Sequence, residues 1–449
     1  MEQRKAASLT WQGCLSKQTR QTVSRMANNA FRKFIILWFG ELVSSIGSGL
    51  TAFGLGVYVF QTTHSATAVS LVTLCTFLPM ILLSPVGGVL ADRFDRRLMM
   101  LLGDGGSALG LIYILIVMFS GEAQLWQLCV GVTISSIFAS LTDPAYKATI
   151  TDLLPEEQFA KASGLVQLAG SSKYLFSPVL AGMLLAVVDI EALLIIDIST
   201  VFITIITISA VRRCLVAKPV SKKKFSLAKD LKEGWRILVS RKGVFTLTLL
   251  MTVVTFYMGI LQTLFTPMVL PLSNAKTLGI VQSVSATGLL LGSLFIGVFN
   301  VNQRYTRVLS VGLLVAGIFF SLIGVSSNIY VIAAAGFLFF ATLPFVNTSA
   351  DVLIRTNIPN EAQGRAWGMI GVVSQFGYVA AYASAGLLSD HIFNPLMDEG
   401  GLLASTVGKW IGSGQGRGIG LLFIISGILV IVLALIMARM KSIRALETK

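Results

Sequence analysis

Runs of about 20 apolar residues recur twelve times along this chain, and they constrain its fold more than any other feature. A helix rising 1.5 Å per residue needs about 20 such residues to cross roughly 30 Å of hydrocarbon. The runs fall near 34–60, 67–91, 98–119, 125–148, 160–187 and 192–212, then near 244–270, 277–300, 308–326, 329–355, 365–390 and 419–438. Inside lipid every backbone polar group must be paired within its own segment, so runs of this length are helices. They lack the short alternation of a membrane barrel. The chain reads as an all-α membrane protein with six plus six transmembrane helices.

Composition agrees. Charged residues make up only 12% of the chain and the mean hydropathy is +0.79, against roughly 25% charged residues in soluble domains. A soluble enzyme, a disordered chain and a nucleic-acid binder are excluded, despite a net charge of +14. The basic excess has a membrane cause. With the N-terminus placed inside, 31 of the 35 Lys and Arg residues fall in inside segments. Lys276, Lys409 and Arg417 fall outside, and Lys173 lies within a span. Such a bias orients a polytopic protein with its basic loops in the cytoplasm. The expectation is a multi-pass protein of the cell membrane with both termini cytoplasmic, and a monomer. Cys14, Cys75, Cys129 and Cys214 show no metal or disulfide spacing, and His64 and His391 lie far apart, so no metal or cofactor is expected. No signal peptide is visible, and the first apolar run reads as a retained span.

The chain repeats itself. Ala148 to Gly164 aligns with Val352 to Gly368 at a constant offset of 204 residues. Pro155 meets Pro359, Glu157 meets Glu361, Lys161 meets Arg365, and the match runs on through Tyr174/Tyr378, Ala181/Ala385 and Gly182/Gly386. Six spans intervene, so the halves run in the same direction. Parallel repeats of this kind are related by an axis along the membrane normal and place a site at their interface near the midplane. The expected organisation is a tail over 1–33, a six-helix bundle over 34–212, a basic linker over 213–243, a second bundle over 244–438 and a tail over 439–449. In the linker, Lys222, Lys223 and Lys224 precede Phe225, Leu227, Leu231, Trp235 and Leu238 at helical spacing. This pattern predicts an amphipathic helix on an anionic inner leaflet; a surface for a partner protein is the other reading.

The most specific short motif joins spans 2 and 3: Gly88-Val-Leu-Ala-Asp92-Arg93-Phe-Asp95-Arg96-Arg97. Small residues at 87 and 88 allow helices to approach closely. Asp92 can face the positive N-terminus of a neighbouring helix. The arginines can anchor to lipid phosphate or pair with acids such as Asp95; for them alone, a topogenic basic loop is the simpler reading. The joint pattern resembles the signature of the major facilitator superfamily between its second and third helices. Asp143-Pro144-Ala145, Leu154-Pro155-Glu156-Glu157-Gln158 and Ser177-Pro178, together with Asp95, resemble its macrolide-efflux and enterobactin-exporter branch. The resemblance covers nearly the whole chain. It implies the major facilitator fold, with twelve helices in two parallel six-helix repeats, and alternating access. It also implies that Gly88, Asp92, Arg93, Arg96 and Arg97 form a gating motif, with Asp92 closing the cytoplasmic gate against helix 11 near Arg365. The antiporter signature of helix 5 is reduced here to Ser177-Pro178 and Ala181-Gly182, and Ser135 and Ser136 stand near the usual arginine of helix 4.

Ionisable groups inside spans cost at least about 2.5 kcal/mol each on insertion scales. Glu41, Asp104, Asp197 and Lys173 are such groups. They read either as proton-coupling residues or as pairs that tie helices together. Glu41, near Ser44, Ser45 and Ser48 on a helix expected to border the cavity, is the leading coupling candidate; Lys173 reads as its partner, or as an ammonium laid against carbonyls or an anionic substrate. Asp351 and Arg355, one turn apart, read as a structural pair. Ser44, Gln167, Tyr257, Gln262 and Asn347 are candidate cavity residues, open equally to a packing role. The glycine-rich segment 391–418, which holds Trp410, reads as a mobile lid or a plain connection. No GxxxxGK[ST] loop, HExxH helix or GxSxG elbow occurs, so neither ATP use nor enzyme chemistry is expected. The expected function is proton-coupled export of a small amphipathic molecule such as a macrolide-like drug or siderophore. Uptake by a symporter or uniporter, and a non-transporting scaffold or sensor, are the alternatives.

Overall fold

The computed structural model describes residues 17–212, 227–298, 304–359 and 362–447. Among them there is no strand. Six passes make the first half: α1 (Lys17–Thr63), α2 (Ala66–Arg93), α3 (Arg96–Phe119), α4 (Leu125–Leu153), a fifth pass in two pieces, α5 (Phe159–Leu175) and α6 (Ser177–Leu184), and α7 (Ile190–Arg212). A linker helix α8 (Leu227–Ser240) leads to α9 (Lys242–Val269), α10 (Ala275–Val298), α11 (Tyr305–Val325), α12 (Ile329–Asn357), α13 (Gln363–Leu388) and α14 (Arg417–Arg439).

Eleven of these helices are individually long and apolar enough to cross a membrane. The twelfth pass is the broken pair α5–α6. Pro178 has no N–H to continue the helical ladder, and the Ser177 hydroxyl donates to the carbonyl of Ile46 on α1 at 3.0 Å. The interruption at Phe176 is thus tied to a neighbouring helix. Turns between passes are short and capped. Ser65 caps α2, Asp95 caps α3 by accepting from the N–H of Arg97 at 3.0 Å, and Asn328 caps α12 by accepting from Tyr330. Each side-chain oxygen satisfies an orphan donor of the first turn.

The two halves pack by one scheme. In the first, α1 packs on α5, α6 and α7, α4 on α2 and α3, and α3 on α7. In the second, α9 packs on α13 and α14, α12 on α10 and α11, and α11 on α14. Between halves, α2 meets α13 and α6 meets α10. Exchanging the halves turns the first of these contacts into the second, as a two-fold axis between parallel repeats requires.

One end of the bundle carries the basic turns and both described termini, and is called the basic end; the other is the far end. At the far end a single apolar cluster draws on both halves, joining Leu50, Ala66 and Leu193 to Leu264, Leu278 and Ala385. At the basic end each half has its own cluster, one around Phe34, Met100 and Tyr146, the other around Leu247, Leu353 and Met437. The halves are joined at the far end and part toward the basic end.

The far-end segment expected as a lid or plain connection is folded against the bundle. The N–H of Gly414 donates to the carbonyl of Met397 at 3.0 Å, and Met397 and Ile411 pack on Leu421. Glycines 400, 412, 414 and 416 take positive φ, which L side chains resist. Buried Arg417 anchors the segment's end, donating to the carbonyls of Gly324, Val325 and Ser326 at 3.0–3.2 Å. Trp410 stays 87% exposed. Of the amphipathic linker, Phe225 and the lysines before it lie outside the described residues. Helix α8 docks on the start of α13: Gly234 lies against the carbonyl of Arg365, Glu233 pairs with Arg365, and Leu238 is buried. Trp235, edge-on to Phe245, and Val239 remain exposed.

Candidate functional site at the parting of the halves

In the first half the ionisable groups cluster on α1, α3 and α4. Glu41 is partly buried on α1, one residue from Gly40, whose bare Cα lies against Thr207 of α7. The charges that reach it are Asp104 of α3 and Asp143 and Lys147 of α4. Asp104 is 8% exposed and accepts a hydrogen bond from the Thr142 hydroxyl at 3.0 Å. Asp143 and Lys147 form an exposed i,i+4 ion pair at 2.7 Å. Tyr146 lies between these groups on α4, within the fields of Glu41 and Asp143, and its buried hydroxyl has no partner among the described residues.

Lys173 does not sit with Glu41. The carbonyl of Lys173 lies 3.0 Å from where a Cβ of Gly49 would stand, and Gly49 is eight residues beyond Glu41, about 12 Å along the helix at 1.5 Å per residue. Trp38, one turn before Glu41, is instead level with Leu165, to whose carbonyl its indole donates at 2.6 Å. Lys173 acts on Asp197 of α7, which is 4% exposed. Asp197 packs against the bare Cα of Gly47, beside Thr51 and Thr200. The expected Glu41–Lys173 pair is thus two separate groups at two depths.

Amide and aromatic groups of both halves gather where α2 meets α13. Gln262 of α9 accepts from the hydroxyl of Tyr382 at 2.6 Å. Phe77 of α2 meets both Tyr378 and Tyr382 of α13 edge-on, with ring centroids at 5.5 and 5.1 Å. Tyr174, the repeat partner of Tyr378, lies within electrostatic reach of both tyrosines. Rings of α2 and α13 therefore meet where the halves join. Among the other candidates, Gln167 and Asn347 are exposed, Ser44 is partly exposed, and Tyr257 packs on Phe256 at 5.4 Å. The sequence reading passed over Phe77, Tyr382, Tyr146 and the Asp143–Lys147 pair as site residues. A signal existed for the pair, an acid and a base one turn apart inside an apolar run; for Phe77 and Tyr382 there was none.

In the motif between α2 and α3, Arg96 spans three segments. It reaches the carbonyls of Ala91 and Ala148 at 3.3 and 2.7 Å and the carboxylate of Asp152 at 2.7 Å, so it ties α2, α3 and α4 of one half together. Arg93 is exposed, Arg97 is partly buried, and the side chain of Asp92 lies outside the described residues. A Cβ at Gly87 would meet the carbonyl of Ser140, whereas one at Gly88 would meet no described atom within 4 Å. Asp351 feels Arg355 one turn on.

Comparison with known proteins agrees with this architecture. Residues 37–382 match the family described as Major Facilitator Superfamily. Macrolide efflux protein A of Streptococcus pyogenes is 27% identical over 94% of this chain and 99% of its own length. A protein of the same name from Enterococcus faecalis is 28% identical over 67% of this chain and 94% of its own. Among solved structures, the nucleoside transporter NupG superposes with a TM-score of 0.72 at 13% identity, covering 91% of this chain and all of that one. This last likeness concerns the fold alone.

Proposed function

The chain belongs to the major facilitator superfamily of membrane transporters, and on that premise we propose that it exports a small amphipathic molecule, macrolide-like in size and character, in exchange for protons. The observation that carries this reading is the acidic group inside the first half, where Glu41 and Asp104 lie within electrostatic reach of one another and of the exposed Asp143–Lys147 pair. A carboxylate inside a span is held there at a cost and needs a use. Glu41 holds the proton, and arriving substrate displaces it. The aromatic and amide groups of Phe77, Tyr378, Tyr382 and Gln262 supply an apolar floor with hydrogen-bonding points for the cargo. Gln167, Tyr257 and Asn347 are candidates to extend that surface. Relatives named for macrolide efflux, matched over most of the chain, support the cargo class.

The basic bias of the turns supports a basic end in the cytoplasm of a cell membrane, with both termini there. The chain works as a monomer organised as tail, bundle, linker, bundle and tail. Trp235 and Val239 of α8 face an anionic inner leaflet. The gating motif of Gly88, Asp92, Arg93, Arg96 and Arg97 closes the basic end in the other state. The test is accumulation of a panel of labelled macrolides, other amphiphiles and siderophores in a sensitive host, with and without a protonophore. Overexpression lowers accumulation of at least one compound, and the protonophore restores it. Accumulation that rises with expression favours uptake and overturns the export reading.

A further inference from the structure

Asp390 lies just beyond α13, in a single π-helical turn, Ser389–Phe393. Its carboxylate crosses to the other half. It accepts from the Ser65 hydroxyl at 2.7 Å, from the N–H of Thr67 at 2.8 Å and from the N–H of Ala66 at 3.2 Å. Asn394 of its own segment donates to it at 3.4 Å. The carboxylate therefore sits on the N-terminus of α2, where unpaired N–H groups and the helix dipole both favour negative charge. Bonds to an ionised acceptor are also stronger than neutral ones. One turn earlier, Gly386 brings the two backbones together: a Cβ there would meet the Ser70 hydroxyl at 2.6 Å and the carbonyl of Ala66 at 2.7 Å.

The repeat supplies an internal control. Gly182, which matches Gly386, makes the same small-residue contact with the start of α10, where its Cβ would meet the carbonyl of Ala275 at 2.5 Å. The position matching Asp390 at the constant offset is Ala186. On that seam α10 is capped by its own Asn274, which accepts from Thr277 at 2.9 Å. Two equivalent seams close the far end, and at this position one carries a carboxylate and the other a methyl group.

We propose that Asp390 is the latch of the far-end gate: its grip on the N-terminus of α2 holds the far end shut, and its release is the step that lets the halves part there. Rigid halves that part at one end close at the other. The three cross-half bonds exist only while the far end is shut, so their free energy biases the equilibrium toward the basic-end-open state. Asp390 acts here as a positioning residue and has no contact with cargo. The proposal rests on the alternating access of the transporter reading, but not on cargo, direction of transport or coupling ion.

The test needs no substrate, so its failure is separate from failure of the export reading. Full-length protein with its four native cysteines replaced by serine is placed in lipid nanodiscs, where reagent reaches both ends. One version carries Ser70→Cys at the closed seam; another carries Gly164→Cys near the basic end, where a Cβ meets no described atom within 4 Å. Reaction with a polar maleimide is timed in each. Asp390→Asn and Ser65→Ala speed labelling at position 70, about tenfold for Asp390→Asn, the scale expected for losing bonds to a charged group. Both variants slow labelling at position 164. Ser65→Thr, which keeps the hydroxyl, leaves both rates as in the parent. If Asp390→Asn fails to fold, Ser65→Ala decides. Unchanged rates overturn the proposal. So does a rise at both positions together, which marks general loosening.

Discussion

Gly368 and Gly386 lie on the same face of α13, eighteen residues apart, about five turns at 3.6 residues per turn, and they meet opposite surroundings. A Cβ at Gly386 would run into Ala66, Thr67 and Ser70 of the other half; one at Gly368 would meet no described atom within 4 Å. On α2 the same spacing separates Ser70, in contact, from Gly88, in the clear. A single pair of faces is thus engaged at one end and apart at the other.

Bulk at the open end of these faces should block closure there without disturbing the state described. Gly368→Leu is expected to fold and insert normally, yet to lower transport by at least tenfold, with the basic end staying open to cysteine reagents. The check is initial transport rate at matched expression beside a labelling time course. Wild-type rates would show that the faces around Gly368 never meet.

Asp92 tests the same closure from the other helix. Asp92→Asn removes charge and keeps size. Transport should fall while membrane insertion and melting temperature stay unchanged. An unaltered initial rate at matched expression would remove Asp92 from the gate.

Glu41→Gln should abolish uphill transport and preserve exchange of labelled for unlabelled substrate across the membrane, because exchange needs binding and conformational change but no net proton movement. Counterflow in proteoliposomes separates the two. If the variant still concentrates substrate against a gradient, the coupling role passes to Asp104, and then to Asp197.

The separation of Lys173 from Glu41 makes a quantitative claim. Lys173→Met and Glu41→Gln act on different groups, so their effects on protein stability should add to within about 0.5 kcal/mol, as for distant sites. A double-mutant cycle on melting in detergent measures this. Coupling well above that value would mean that the two charges meet after all.

Arg417 holds three carbonyls at the end of α11. Arg417→Met keeps an apolar stem and strands these acceptors. It should destabilise the protein by about 2–3 kcal/mol, the cost of losing bonds to a charged donor. Thermal unfolding in detergent reads the loss, and a change near zero would mean that the far-end segment is held by its apolar contacts alone.

Much of this molecule could be read without coordinates. Spans are legible because a helix in lipid must satisfy its own backbone and match a fixed thickness, and both demands act on contiguous residues. The parallel repeat is legible because Pro155 and Pro359, with their flanking Glu, basic and Gly residues, keep one offset without a gap. The motif from Gly88 to Arg97 pointed to the family for the same reason, as local chemistry at fixed spacing. What only the tertiary structure decided is which groups meet across helices. Lys173 acts on Asp197 and not on Glu41 because of its depth on α5, and Asp390 reaches Ser65 across 325 residues of chain. Phe77 finds Tyr382, and the seams are shut at one end only. Lipid gives helices no hydrophobic drive toward one another, so periodicity carries little information about partners. Close packing of small residues selects them, and that selection exists only once the helices are assembled.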